Sequence, residues 1–290
     1  MTRDPTADNY THVIGDPIAQ SKSPMIHGFW LEKLGLLGAY TSNQVKPADL
    51  SEYLEAGRGD PNWMGCNVTM PHKQAILEHL EAIDPDAATL GAVNTVVRQD
   101  DGALKGFNTD LGGFLEPLTA LLNEDHLFRM ARIMGTGGAA RAIIAGLAGK
   151  GFTLVVAGRD PSKARAMIDE LAPNGEHHAI HLSHFAEPTD FEFDDRDRCL
   201  DLIINASPLG MHGNPPLNFH WSHAPPRSIA YDIVTSPLDT PFLQGARAAG
   251  HDTINGYAML IGQAAIAFEK FYGVAPPRTY DDVLMDMLTR

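Results

Sequence analysis

Three groups of residues in this chain are of the right type and spacing to do chemistry. The first, Gly135-Thr136-Gly137-Gly138-Ala139-Ala140, fits G-x-G-x-x-A between an apolar run and a helical one. Gly135 permits a tight turn, Gly137 lets the backbone approach a pyrophosphate, and the small Ala140 allows close helix–strand packing. The N–H groups of Gly138 and Ala139, at the positive end of a helix, would face the phosphates. That is the chemistry of a nicotinamide dinucleotide; the plainer reading is a glycine-rich turn without a ligand. The second group follows the next strand, where the order is Gly158-Arg159-Asp160-Pro161-Ser162-Lys163. An acid there serves a free ribose hydroxyl, as in NAD, and an arginine a 2′-phosphate, as in NADP. Arg159 and Lys163 favour NADP, since a guanidinium pairs a phosphate bidentately. Asp160 either opposes that or caps the helix that starts at Pro161.

The third group is polar and lies early in the chain, with one late addition. Ser21-Lys22-Ser23-Pro24 stands at a strand-to-helix junction, where hydroxyls and helix N–H groups can bind a carboxylate. Alternatively, Ser23 simply caps the helix before Pro24. Asn67-Val68-Thr69-Met70-Pro71-His72-Lys73 is expected to end a strand and open a helix. A lysine in a first turn meets the positive dipole end, so Lys73 is either an ordinary surface residue or one kept there for function. Asp110, after Asn108-Thr109 and before an apolar helix, reads by itself as an N-cap. Gln263, inside the apolar run MLIGQAAIAF, needs a hydrogen-bond partner because an unpaired buried amide is costly.

The elements that must position these groups alternate short apolar strands with amphipathic helices, the pattern of a mainly parallel, helix-covered sheet. THVIG predicts the first strand and Pro24 to Leu34 its helix; Ala39 to Val45 and Met64 to Val68 predict further strands, each followed by a helix. GAVNTVVRQDDGALKGFNTD predicts a hairpin turning at Asp101-Gly102. A new pattern follows Asp110: a helix from Leu111 to Leu122, strand ARIM, the glycine turn, and a helix to about Lys150. Strand TLVVA and helix SKARAMIDELA come next, the latter stopped by Pro173-Asn174-Gly175. Strands near Ala179–Leu182, Leu202–Asn205 and Ile229–Ile233 complete a Rossmann-like set. The expected fold is α/β: an N-terminal α/β substrate domain over 1–110, completed by helices from about 257–290, and a Rossmann-like dinucleotide domain over 111–256. The last helix, from about Tyr257 to Tyr272, is expected to return to the first domain and leave a cleft between the two.

Composition narrows the function. At 290 residues the chain exceeds one typical domain. A formal charge of −14 argues against nucleic acid and anionic membranes as partners, which need basic patches. Any anionic substrate must be caught by locally placed donors. Cys66 and Cys199 stand far apart in no metal-like spacing, so a reducing, cytoplasmic compartment is expected. Met1 to Gly15 lacks the apolar stretch of a signal peptide, and no apolar run approaches membrane length. His177, His178, His181 and His184 cluster, but no cysteine or carboxylate completes a metal site. The charge run from Asp190 to Arg198 reads as an exposed connection.

Taken together, SKSP, NVTMPHK, GAVNT, GFNTD, GTGGAARA, NASPLGM, YDIV (Tyr231 to Val234) with the following Pro and TPFL, and NGYAMLIGQAA resemble the shikimate dehydrogenase family in order and spacing over nearly the whole chain. The resemblance implies reversible reduction of 3-dehydroshikimate, or a closely related cyclic polyhydroxy carboxylate, with NADP or NAD. Carried over by position, Ser21 and Ser23 would hold the substrate carboxylate, and Thr69, Asn94 and Gln263 the ring hydroxyls. Lys73 and Asp110 would form the catalytic pair. Reducing a ketone needs a hydride at carbon and a proton for the developing alkoxide, and an ammonium beside the oxygen supplies both charge and proton. Ser207, in a segment that otherwise forms a plain turn, and Gly256 would line the cofactor.

Two positions depart from the family. Where it shows Tyr-Asn after the YD-hydrophobic pair, this chain has Thr235-Ser236, and the tyrosine would approach the substrate carboxylate. Its NADP form shows Asn-Arg-Thr where this chain has Gly158-Arg159-Asp160. Both changes point to a paralogue, so quinate and aminoshikimate-type dehydrogenases stand as alternatives. A non-catalytic dinucleotide or metabolite sensor is a further one, although a sensor has no need of Lys73 and Asp110 together. The chain is expected to act as a monomer or homodimer.

Overall fold

The computed structural model describes residues 9–289, and residues 1–8, part of the stretch read above as lacking a leader's apolar segment, lie outside it. The chain divides into two units, Met1–Gly113 with Ile261–Arg290, and Phe114–Leu260. Both are α/β, as the alternating sequence pattern implies.

The first unit holds β1 (Tyr10–Gly15), β2 (Ala39–Gln44), β3 (Trp63–Val68), β4 (Ala82–Ile83), β5 (Thr95–Arg98) and β6 (Leu104–Phe107). They form one sheet in the order β2-β1-β3-β5-β6-β4. β1 runs parallel to β2 and β3, whereas β5 is antiparallel to both β3 and β6. The expected hairpin is present: Gln99 N donates to Ala103 O at 2.8 Å, and Gly102 takes φ +89°, a backbone angle that favours glycine. Ile14, Leu54, Trp63, Val96 and Leu104 fill the core. The second part of the helix Gly256–Tyr272 belongs to this unit. Its Tyr272 hydroxyl lies 2.7 Å from Thr11 Oγ1, and Phe268, fully buried, packs beside Trp30 with ring centroids 5.5 Å apart. Burying each such side chain contributes about 1.5–3 kcal/mol.

Two local expectations fail here and at the unit boundary. No α-helix opens at Pro71; turns lead instead into a 3-10 helix at Ala75–His79. The cause is tertiary: the Lys73 carbonyl accepts from Val93 N at 2.8 Å, and the His72 ring is drawn inward to Val45 O at 2.6 Å. Lys73 therefore meets no helix dipole. The single helix expected over Leu111–Leu122 is broken into Asp110–Leu115, a 3-10 turn at Glu116–Leu118, and Thr119–Leu122. Pro117 lacks the N–H that a continuous helix requires.

The second unit holds β7 (Phe128–Met134), β8 (Thr153–Gly158), β9 (His177–His181), β10 (Cys199–Asn205), β11 (Ile229–Asp232) and β12 (Asp252–Ile254). Every pairing is parallel, in the order β12-β11-β10-β7-β8-β9. This is the doubly wound order, with its topological switch point between β7 and β10. Helices Gly138–Ala148, Pro161–Leu171 and Pro241–Ala248 accompany the sheet. Met134, Ala157, Ile203, Ala230 and Leu243 are core residues. Among the described residues, no helix is long and apolar enough to cross a membrane.

Candidate active site

In the first unit the polar clusters converge where β3 and β6 end beside the start of β5. Register places Asn67 opposite Thr95, and Thr95 opposite Phe107, so the segments after β3 and β6 flank one point. From the first comes Lys73 and from the second Asp110. Lys73 Nζ donates to Asp110 Oδ2 at 2.5 Å, with side chains 16% and 7% exposed. Asp110 is not the N-cap expected of it. Its carboxylate accepts from Lys73 and from Asn94 Nδ2 (2.8 Å), while its own backbone N–H is capped by Asn108 Oδ1 at 3.0 Å.

Asn94 also donates to Thr109 Oγ1 at 2.9 Å, so both hydrogens of its amide are engaged within the protein. Its Oδ1 accepts from Thr109 N and Thr95 Oγ1 at 2.8 and 3.0 Å. Asn94 thus aims the Asp110 carboxylate. Gln263 has the partner its apolar setting demands: Thr109 Oγ1 stands 3.4 Å from its Oε1. Gly113 makes this approach possible, because a side-chain carbon there would lie 2.4 Å from Gln263 N.

Ser23 is the first residue of its helix; the cap position belongs to Lys22, with no side-chain capping bond. The capping alternative for Ser23 is therefore set aside. Ser21 Oγ accepts from Ser23 N at 3.3 Å. Close by, the Tyr40 phenol donates to Asn67 Oδ1 at 2.6 Å. Asn67 Nδ2 then donates to Thr95 Oγ1 at 2.9 Å. A buried chain of hydrogen bonds therefore joins Tyr40 to Asn94 and Asp110. Burial pushes the Tyr40 phenol well above its usual range, which keeps it a neutral donor. Thr69, half-buried, is anchored by its N–H to Ile14 O at 2.9 Å. Tyr40, Asn67, Thr95 and Thr109 had no separate signal: each suits its strand or turn, and only the register brings them together.

In the second unit the glycine turn connects β7 to the helix Gly138–Ala148. Gly135 has φ +134°, and a side-chain carbon there would lie 2.5 Å from Ala206 O, so packing alone demands it. Gly137 differs. It is the helix N-cap without a side-chain capping bond, and beyond its own chain neighbours nothing lies within 4 Å of where a side chain would begin. Open space above uncapped N–H groups of residues such as Gly138 and Ala139 suits a pyrophosphate. Arg159 and Lys163 are exposed after β8. Asp160 caps the next helix, accepting at Oδ1 from Ser162 N at 2.9 Å and from Ser162 Oγ at 2.6 Å.

The remaining candidates are turn-formers. The Ser207 hydroxyl donates to Asn205 Oδ1 at 2.7 Å and accepts from Leu209 N at 3.2 Å. Gly256 is a close-approach position, where a side-chain carbon would lie 2.3 Å from Val234 O. Thr235 follows Val234 and is half-buried. The turn that carries it is held by Asp232, which accepts from Val234 N (3.0 Å), Asn205 Nδ2 (3.0 Å) and Thr240 Oγ1 (2.6 Å).

Known proteins resemble this chain over nearly its whole length. The profile of the shikimate dehydrogenase substrate binding domain matches residues 13–96. The chain is 44% identical to a shikimate dehydrogenase (NADP(+)) of Sphingopyxis alaskensis over 98% of both sequences. Among solved structures, shikimate 5-dehydrogenase of Thermus thermophilus in complex with NADP(H) and shikimate is 33% identical, with TM-score 0.78, over 97% of this chain and 99% of that one. Quinate dehydrogenase of Corynebacterium glutamicum in complex with NAD is 28% identical, with TM-score 0.80, over 96% of this chain and 99% of that one. With a glycine turn suited to a dinucleotide and an ammonium–carboxylate pair held by its neighbours, this chain belongs to the shikimate dehydrogenase family.

Proposed function

We propose that this enzyme catalyses the reversible reduction of 3-dehydroshikimate to shikimate with NADPH, the first unit holding the substrate and the second the dinucleotide. The observation that carries the reading is the Lys73–Asp110 pair, 2.5 Å apart and aligned by Asn94. NADPH, when bound, supplies the hydride for the carbonyl carbon. Gly135 to Ala139 would cradle its pyrophosphate, and Arg159 with Lys163 would meet its 2′-phosphate.

The chain's own residues handle the proton. Lys73 carries three N–H groups, one of which is engaged by Asp110 Oδ2. The others are free to point at the carbonyl oxygen, stabilise the alkoxide as it forms, and deliver the proton that completes the hydroxyl. In the oxidative direction neutral Lys73 takes that proton back while Asp110 holds its orientation. Ser21 and Ser23 would receive the carboxylate, and Thr69 and Gln263 the ring hydroxyls. The cytoplasm suits an enzyme whose two cysteines, Cys66 and Cys199, are both free.

The quinate alternative is less well supported, because the 44% relative is a shikimate dehydrogenase and the quinate enzyme is 28% identical. Product identification decides between them. NADPH consumed with 3-dehydroshikimate should yield shikimate, seen by NMR. Faster consumption with 3-dehydroquinate, yielding quinate, would replace this reading with the quinate one.

A further inference from the structure

A concave site lies in the first unit beside β5, β6 and the C-terminal turns of the helix Gly256–Tyr272. It is a cavity of about 320 Å³ whose wall includes three cations, Arg98, Lys105 and Lys270, and a single acid, Asp100. In a chain of formal charge −14 this is a local reversal of sign. Phe107 brings two of the cations together: Lys270 Nζ stands 4.0 Å and Lys105 Nζ 5.0 Å from the centre of the same ring. Neither ammonium joins an ion pair among the described residues. Arg98 donates to the Arg58 and Gln99 carbonyls at 3.1 and 3.2 Å, which leaves its charge without a bonded carboxylate. Asp60, which feels the Arg98 charge, is itself bonded by the Tyr10 phenol at 2.7 Å.

Lying 4.0 and 5.0 Å from one ring centre, the two ammoniums are at most about 9 Å apart, and their mutual repulsion favours an anion nearby. An anion between them would relieve it. The rest of the wall mixes polar side chains, Asn9 and Gln99, with apolar ones, of which Met64 and Val97 are the half-buried ones beside Phe107. Inorganic phosphate would leave those surfaces against water, whereas an acid with a flat apolar body would cover them. We propose that this cavity binds a small aromatic carboxylate, its acid group between Lys105 and Lys270 and its ring against Phe107 and Val97. The site is separate from the catalytic pair. Lys270 lies seven residues beyond Gln263 on the same helix, roughly 10 Å along its axis.

Calorimetric titration of the full chain with benzoate tests the proposal, run with and without saturating shikimate. The expected result is binding at about 1 mM or tighter that persists with shikimate present. It should weaken by at least about tenfold in Lys270→Met and in Lys105→Met, with kcat unchanged. Benzoate that is displaced by shikimate and binds Lys270→Met as well as the parent is occupying the substrate site, and overturns the proposal. Absence of binding overturns it too, and the variants' comparison does so without relying on shikimate. Inorganic phosphate binding as tightly as benzoate would overturn the assignment of ligand class.

Discussion

Replacing Lys73 by methionine keeps most of the side chain's volume and removes only the ammonium. Two consequences can be worked from the geometry. Asp110, 7% exposed, loses its charged partner at 2.5 Å but keeps the Asn94 donor at 2.8 Å. Stripping one partner from a buried pair costs about 3–5 kcal/mol. Because Lys73 is 16% exposed, water can reach the vacated position and the cost should fall near the lower end. The catalytic loss is larger in its effect. An acid–base group contributes about 10²–10⁴ in rate, so kcat should drop by at least about a hundredfold while KM changes little. Asp110→Asn should fall in the same way, and the double variant should lose no more than the worse single one, since the two act as a unit. Initial rates read at nicotinamide absorbance, with thermal melts to show each variant folded, give all the required numbers. A Lys73→Met enzyme with near-parental kcat would remove Lys73 from the mechanism. Fully multiplicative losses would show that the two side chains act independently.

Three other sites give independent predictions. Arg159→Ala should weaken NADP by roughly ten- to a hundredfold and NAD far less, as measured by dinucleotide titration; equal losses would mean that Arg159 does not meet the 2′-phosphate. If, as we propose from the family resemblance, a phenol at position 235 donates to the carboxylate, Thr235→Tyr should lower KM for shikimate by about tenfold at similar kcat, and an unchanged KM would rule that role out. His27 is fully buried against Tyr40, with its pKa lowered from the usual 6.5 to about 3 by desolvation. Between those values the unfolded chain binds a proton that the native one refuses. Stability should therefore fall as pH drops below 6.5, by about 2 kcal/mol at pH 5, and His27→Phe should flatten that part of the curve. Parallel denaturation curves for the two proteins would contradict it.

Much of this could be read from the chain before any coordinates. Alternating apolar strands and helices give the two α/β units, and Asp101-Gly102 gives the hairpin, because those signals are local. The glycine turn was legible for the same reason, its context being the strand before it and the helix after it. What failed was set by contacts distant in sequence. His72 and the Lys73 carbonyl are drawn to Val45 and Val93, which prevents the helix that Pro71 invites. Asp110 looks like a cap until the strand register puts Lys73 and Asn94 beside it. Asp160 is the converse: of its two readings the cap is the one local sequence could settle, and it is present. Pro117 was a local signal, and the unbroken helix drawn through it ignored the missing N–H.

The most direct test of the account is the initial rate of the purified full chain with shikimate, using NADP⁺ and NAD⁺ in parallel. Arg159 and Lys163 after β8, with Asp160 engaged as a cap, predict reduction of both dinucleotides and a clearly higher kcat/KM for NADP⁺. No reduction of either dinucleotide in the presence of shikimate, by a folded enzyme that still binds NADP⁺, would contradict it.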